Sequence, residues 1–165
     1  MRRPVNDVIY TDKVFARKII NHFSSQFNEE DRFMEPCRGN GSFYESLPEP
    51  KDWCEIDDNR NFLEYDGNCD WIISNFPWST KLQRPIVRKA CGISTNVVHL
   101  IRAHNALGTF ARFKDFLNEQ HHIKEIILCD WKEAFGNNKS QEGFALIVIH
   151  TQRNYNGDCK WTYWI

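Results

Sequence analysis

Phe33-Met34-Glu35-Pro36-Cys37-Arg38-Gly39-Asn40-Gly41-Ser42-Phe43 is a short apolar strand running into a glycine-rich loop. Glycines after a parallel strand let the backbone approach a ligand closely, and a helix that follows offers free N–H groups. In open α/β sheets, ligands lie outside the carboxyl ends of the strands, where strand order reverses. A plain strand-to-helix turn would read the same on the two glycines alone, so the rest of the chain has to decide.

A second stretch adds chemistry. The apolar run Asp70-Trp71-Ile72-Ile73-Ser74 stops at Asn75-Phe76-Pro77-Trp78. A side-chain amide can accept hydrogen bonds from an exocyclic amino group, Pro77 fixes the turn, and Trp78 offers a face for a flat base. An amine conjugated to a ring is a poor nucleophile. Accepting its two N–H groups with the Asn75 side-chain oxygen and the Phe76 carbonyl drives the nitrogen toward tetrahedral geometry, so positioning and local electrostatics do most of the work. Between the two stretches, Trp53-Cys54-Glu55-Ile56-Asp57 reads as a strand ending in two acids, a place where a carboxylate accepts ribose hydroxyls. Solvated surface acids are the plain alternative.

Together these segments resemble the S-adenosylmethionine-dependent amino-methyltransferases that modify adenine N6 or cytosine N4. That family carries a D/E-P-x-x-G-x-G loop followed by an N/D/S-P-P-Y/F/W loop. The resemblance implies a Rossmann-like class I methyltransferase fold and S-adenosylmethionine as cofactor. It implies cofactor-binding roles for Tyr10, Thr11, Glu35, Pro36, Gly39, Gly41, Glu55, Asp57, Asn61 and Phe62, and catalytic roles for Asn75, Phe76, Pro77 and Trp78. Glu35 would meet the cationic amino group of the methionine moiety. Glu55 matches the acid of a V-E-I-D-like stretch, with Asp57 the alternative in a shifted register. Asn61-Phe62-Leu63 is similar to a D-F-L segment whose acid contacts the cofactor's adenine; Asn keeps a hydrogen-bonding side chain without the charge. Ile9-Tyr10-Thr11-Asp12 is similar to a Y-T-P segment that closes over the cofactor carboxylate, with Asp12 in place of Pro and suited to capping a helix. Phe76 stands where the family's first Pro is usual.

Composition agrees with one globular domain over 1–165: 165 residues, 41% hydrophobic and 14% aromatic, enough for a sizeable core. The longest apolar run, Phe144 to Ile149, is too short to span a membrane, and no apolar stretch follows Met1-Arg2-Arg3 to make a signal peptide. Six cysteines lie far apart without metal-ligand spacing. They read as reduced thiols of a cytoplasmic protein, with no metal. Net charge is −1, but residues 28–70 hold thirteen acids against four bases, and 71–165 hold twelve bases against seven acids. A polyanion would prefer the second region; ordinary solvated surface is the other reading.

Apolar spacing predicts a helix over 12–24, capped by Thr11-Asp12, and strands at 32–35, 53–56, 71–74, 96–101, 123–129 and 144–151. An edge strand is expected near Trp161–Trp164. Short helices are expected from Ser42 to Leu47 and from Pro85, as first-turn residue, to Cys91 with Gly92 as stop. A further helix is expected over Thr109–Glu119 and a polar loop over 137–141. Alternation of strands and helices implies an α/β, mostly parallel twisted sheet covered on both faces, with an antiparallel C-terminal strand. It is trimmed between its second and fourth strands, because residues 53–74 leave room only for a vestigial strand at 61–65.

The expectation is therefore a minimal methyltransferase acting on an amino group of a nucleobase, first of all adenine N6 in DNA. It lacks a recognition domain, so it would read little sequence, act on single strands or RNA, or depend on a partner subunit or homodimer for recognition. Arg84, Arg88 and Lys89 are candidate phosphate contacts. Trp131 or Phe135 would be a second stacking face or core. A protein-glutamine methyltransferase and a non-catalytic subunit of the same fold are the competing readings.

Overall fold

The computed structural model of the chain describes residues 9–109, 111, 114, 120–136 and 145–164. Most of the helix expected over 109–119, the loop over 137–141 and Phe144 lie outside the described residues. Seven strands form one sheet: β1 (Phe33–Glu35), β2 (Lys51–Trp53), β3 (Cys69–Ser74), β4 (Ser94–Arg102), β5 (His121–Cys129), β6 (Leu146–Arg153) and β7 (Lys160–Tyr163). They lie in the order β2-β1-β3-β4-β6-β5-β7. Strand β6 runs antiparallel to β4 and β5, and every other pair is parallel. The tail does add an edge strand.

Central strands read as continuous apolar runs because both faces are covered. Leu146, Ile147, Val148 and Ile149 are all buried to 1% exposure or less. Helix α1 (Lys13–Phe23) buries Phe15, Ile19, Ile20 and Phe23, each worth about 1.5–3 kcal/mol on leaving water. The Asp12 carboxylate accepts from Val14 N and Phe15 N and caps it. Phe23 of α1 meets His150 at 4.9 Å between ring centres. The next residue on β6, Thr151, instead meets Cys91 of α2 (Thr80–Ile93), 4.0 Å away. Successive strand residues point to opposite faces, so α1 and α2 cover opposite sides.

Several boundaries differ from expectation. Helix α2 starts a turn before Pro85, which sits inside it. The carbonyl left unbonded by Pro85 belongs to Lys81, and both residues are exposed, so water replaces the lost bond. Gly92 does not stop α2; the Ser94 hydroxyl, donating to Ala90 O at 2.9 Å, marks its end. In place of a helix over 42–47 there is one turn, Tyr44–Ser46. Strand β2 lies two residues earlier than predicted, so Glu55 falls in the turn after it. Asn61–Tyr65 makes a turn, Phe62–Glu64, and not a strand. Trimming is as expected: single turns at Ile56–Asp58 and Phe62–Glu64 are the only named elements between β2 and β3. Short helices α3 (Ala103–Leu107) and α4 (Trp131–Phe135) follow β4 and β5. No described helix is long and apolar enough to cross a membrane.

Candidate active site

At the carboxyl end of β1, three segments interlock. Gly39 and Gly41 have φ of +53° and +85°, which side chains with a Cβ adopt at a cost. A Cβ on Gly39 would also lie 3.1 Å from the Tyr10 ring, so the glycine lets Tyr10 close over the loop. Gly39 N donates to Glu55 Oε2 at 2.7 Å, and Arg38 N to Cys54 O at 2.9 Å. The Ser42 hydroxyl lies 2.6 Å from the Thr11 carbonyl. Thr11 is buried, while Tyr10 is half exposed. Between these segments runs a narrow cleft of about 30 Å³ lined by Tyr10, Thr11, Gly39, Asn40 and Asn75. The helix N-terminus expected after the glycines is only the Tyr44–Ser46 turn.

Glu35 closes β1 and is 1% exposed. Its Oε1 accepts from the Ser74 hydroxyl and from Cys37 N. Burial pushes its carboxyl up to about 8; the bonds from Ser74 and Cys37 oppose this, and the like charge of Glu55 adds to it.

A larger cleft of about 250 Å³, mostly apolar, adjoins the first at Cys37, which lines both. Pro36, Ile56, Phe62, Pro77, Leu82 and Pro85 line its walls, with Asn61 at its edge. Asn61 is engaged locally: its Oδ1 accepts from Leu63 N at 3.1 Å and its Nδ2 donates to Glu64 at 2.9 Å. The buried Glu55 carboxylate faces back onto Gly39 N and Asp57 N, whereas Asp57 is exposed at the rim.

Asn75 follows β3. Its Nδ2 donates to Ile9 O at 3.1 Å and to Thr11 Oγ1 at 3.2 Å. A carbonyl only accepts, so the amide's orientation is fixed by chemistry. Its Oδ1 is buried with no hydrogen-bond partner among the described residues. Phe76 is 1% exposed and packs on His99, 4.3 Å between ring centres; burial drives His99 down to about 3, so it is neutral. That contact explains the missing proline: the position is a core position. Pro77 forms part of the apolar cleft.

Trp78 is not an open platform. It is 6% exposed, with Trp131 and Phe135 at 5.8 and 5.6 Å and the Arg102 guanidinium carbon 4.9 Å from its ring centre. Asn105 Nδ2 holds its carbonyl at 2.8 Å. Trp131 is equally buried. The indole N–H groups of both tryptophans are buried and have no acceptor among the described residues.

On α2, Arg84 is half-buried and Arg88 exposed. Lys89 turns to the Leu63 carbonyl at 2.9 Å and lies 6.0 Å from the Phe62 ring, so it supports the cleft wall. The structure thus brings Tyr10, Thr11, Glu35, Pro36, Gly39, Glu55, Phe62, Asn75 and Pro77 together, with Asp57 and Asn61 along the rim. Gly41 shapes the loop. Ser74, Ser42 and Arg102 were not singled out from sequence. A polar Ser ending an apolar strand beside Asn75 was the available signal for the first; the other two carry none.

No family model matches the chain, and no curated protein does. Solved structures do. A protein from Listeria monocytogenes described as a class I S-adenosylmethionine-dependent methyltransferase superposes with a TM-score of 0.70 at 11% identity, covering 98% of this chain and 67% of that one. One from Pyrococcus horikoshii described as an RNA methyltransferase gives 0.63 at 12%, covering 87% and 83%. A chain from Vibrio vulnificus described as a type I restriction-enzyme modification subunit gives 0.64 at 11%, covering 96% of this chain but only 47% of its own length. At such identities the likeness speaks for the backbone, and it agrees with the strand order found above: the chain has the Rossmann-like class I methyltransferase fold.

Proposed function

We propose that the chain transfers a methyl group from S-adenosylmethionine to an exocyclic amino group of a nucleobase, with adenine N6 in DNA the first candidate. One observation carries this reading: the Asn75 amide is pinned through its NH₂ while its Oδ1 is left as an unused acceptor at a strand's carboxyl end. A buried acceptor without a partner costs about 1–3 kcal/mol, a cost an incoming N–H removes.

The residues present suit the cofactor. Glycines 39 and 41 take the left-handed backbone that shapes the loop around Tyr10, Glu35 is a buried acid with no cation beside it among the described residues, and the apolar cleft suits a flat ring. S-adenosylmethionine supplies, when bound, an electrophilic methyl on a sulfonium. Glu35 would hold the cationic end, Thr11 and Tyr10 would close over it, and Glu55 or Asp57 would meet the ribose. Asn61, Phe62 and Pro36 would border the adenine. Asn75 Oδ1 and the Phe76 carbonyl would orient the target amine. The orphan indole N–H groups of Trp78 and Trp131 are donors for acceptors on the ring that bears the amine. Arg84 and Arg88 are the proposed phosphate contacts, and sequence recognition would come from a partner subunit, a second copy or a single-stranded substrate. Such an enzyme belongs in the cytoplasm.

RNA is the second reading, supported by the Pyrococcus neighbour's description. Incubation of the chain and cofactor with DNA and with RNA, followed by mass spectrometry of the nucleosides, tests both. A methylated adenine or cytosine from the parent, absent with Asn75→Ala, is expected. Cofactor binding without transfer to any nucleic acid would leave a non-catalytic subunit or a protein-glutamine enzyme.

A further inference from the structure

The loop carrying Glu55 and Asp57 hangs from β2, which is three residues long and lies at one edge of the sheet. A strand that short, paired on one side only, is a weak anchor. What holds the loop is a stack of side chains around Trp53, the last residue of β2. The guanidinium carbon of Arg38, from the glycine loop, lies 3.8 Å from the centre of the Trp53 ring, and that of Arg60, from beyond the acid loop, lies 4.1 Å from it. Each arginine is also tied to an acid: Arg38 to Asp58 at 3.1 Å, and Arg60 to Asp52 at 2.6 Å. Arg60 pairs through its backbone with Glu55, its N–H donating to Glu55 O at 3.0 Å.

The Arg38 ties join the two sides of the proposed cofactor site, and the Arg60 ties brace the acid side against β2. Arg38 belongs to the loop containing Gly39, and Asp58 to the turn containing Asp57. Gly39 N donating to Glu55 Oε2 closes the same gap from the inside.

We infer that Trp53 is a positioning residue. Its ring is the pin against which Arg38 and Arg60 hold the glycine loop and the acid loop in register, replacing the support a further strand would give. A planar guanidinium lies flat on an indole, which a lysine ammonium does not reproduce. The residue does not touch the ligand; it sets where Glu55 and Asp57 stand. The inference rests on the cofactor reading given above.

The test is calorimetry of S-adenosylhomocysteine and of its analogue lacking the ribose hydroxyls, on the full chain and on Trp53→Ala, Trp53→Phe and Arg38→Lys. Thermal melts of each variant accompany it. Trp53→Ala should weaken the ribose-bearing ligand about tenfold, the scale of one lost hydrogen bond to a charged group. It should weaken the analogue less than about twofold. Trp53→Phe, which keeps a flat ring, should fall between, and Arg38→Lys should reproduce part of the loss while keeping the Asp58 ion pair. Equal loss for both ligands, or none, overturns the positioning role. If the parent prefers neither ligand to buffer, the cofactor reading falls first and takes the inference with it. If the parent prefers the ribose-bearing ligand and Trp53→Phe and Trp53→Ala keep that preference, the inference alone falls.

Discussion

Two buried glutamates stand at different places in the sheet and are treated in opposite ways. Glu125, on β5, is 5% exposed. It accepts from Thr162 at 2.5 Å and His22 at 3.1 Å, and lies 3.2 Å from Lys160. Burial pushes its carboxyl up, but the bonds from Thr162 and His22 outweigh that and hold it below the usual range. Glu35, at the end of β1, has a hydroxyl and one backbone N–H and stays near 8. The first site is completed by the fold; the second has no cation beside it among the described residues. The tryptophans divide the same way: Trp71 Nε1 donates to Asp31 at 2.8 Å, while Trp78 and Trp131 donate to nothing described. Among the described residues, Asn75 Oδ1 and the Trp78 and Trp131 indoles put three unmet polar groups at the carboxyl end of the sheet, where a ligand would complete them, although His150 Nδ1 and Arg153 Nε are unmet elsewhere.

If incompleteness marks function, the largest effect belongs to the unused acceptor. Asn75→Ala should lower the methylation rate by about 10²–10³, roughly 2.7–4 kcal/mol in the barrier. Full turnover would break the comparison at its strongest point. Glu125→Ala probes the completed side. It strands His22 and Thr162 and should reduce folding stability by about 2–3 kcal/mol in denaturant titrations. Cofactor affinity of the folded protein should be unchanged.

Glu35→Gln should act in the opposite sense. Its carboxyl rises from 4.5 to about 8 in the folded chain, so the folded state favours the protonated form. Below pH 4.5 both states are protonated and the burial of Glu35 costs little. As pH rises through 8 the charge has to be carried inside, and that contribution to stability is lost. Gln keeps the acceptor for Ser74 without the charge. The variant should match the parent near pH 4.5 and exceed it at pH 9, while binding cofactor about ten- to a hundredfold more weakly. Parental cofactor binding near pH 7 should release a proton, seen as a buffer-dependent heat. A stability difference that does not grow with pH would mean Glu35 is as well satisfied as Glu125. The smallest effect is that of Trp131→Phe, which keeps the ring and deletes one donor. It should raise the KM for nucleic acid about fivefold, near 1 kcal/mol, and leave cofactor affinity alone.

Much of this was legible. Continuous apolar runs in β3, β4 and β6 and the paired glycine and Asn75 loops gave the sheet and the centre of the site. Less legible was whatever a neighbour decides. The bounds of β2 follow from pairing with β1, through Phe33 N to Pro50 O and Cys54 N to Glu35 O, and not from β propensity. Ser74 meets Glu35 only because β1 and β3 lie side by side. Phe76 reads in sequence as a departure within a catalytic loop, yet its ring answers to His99 on β4, whose inward direction is a tertiary fact. Asn61 matches a cofactor-contacting position, but its amide closes its own turn.

The anchoring of Asn75 to Ile9 and Thr11 carries a temporal consequence. The cleft beneath those residues, about 30 Å³, has room for a water or two. An amino-acid-sized group enters only if residues 9–11 swing out about Asp12, which Ala134 O holds by its N–H at 2.8 Å. The same swing strips Asn75 of both acceptors and frees its amide to turn. On the proposed reading the acceptor would be loosened while the cofactor enters and aimed again once the strap has shut, so the cofactor would come first. On that reading, a target base that arrives first would meet the pinned amide and hold the strap shut against the cofactor. Product-inhibition patterns showing random addition would rule this latch out.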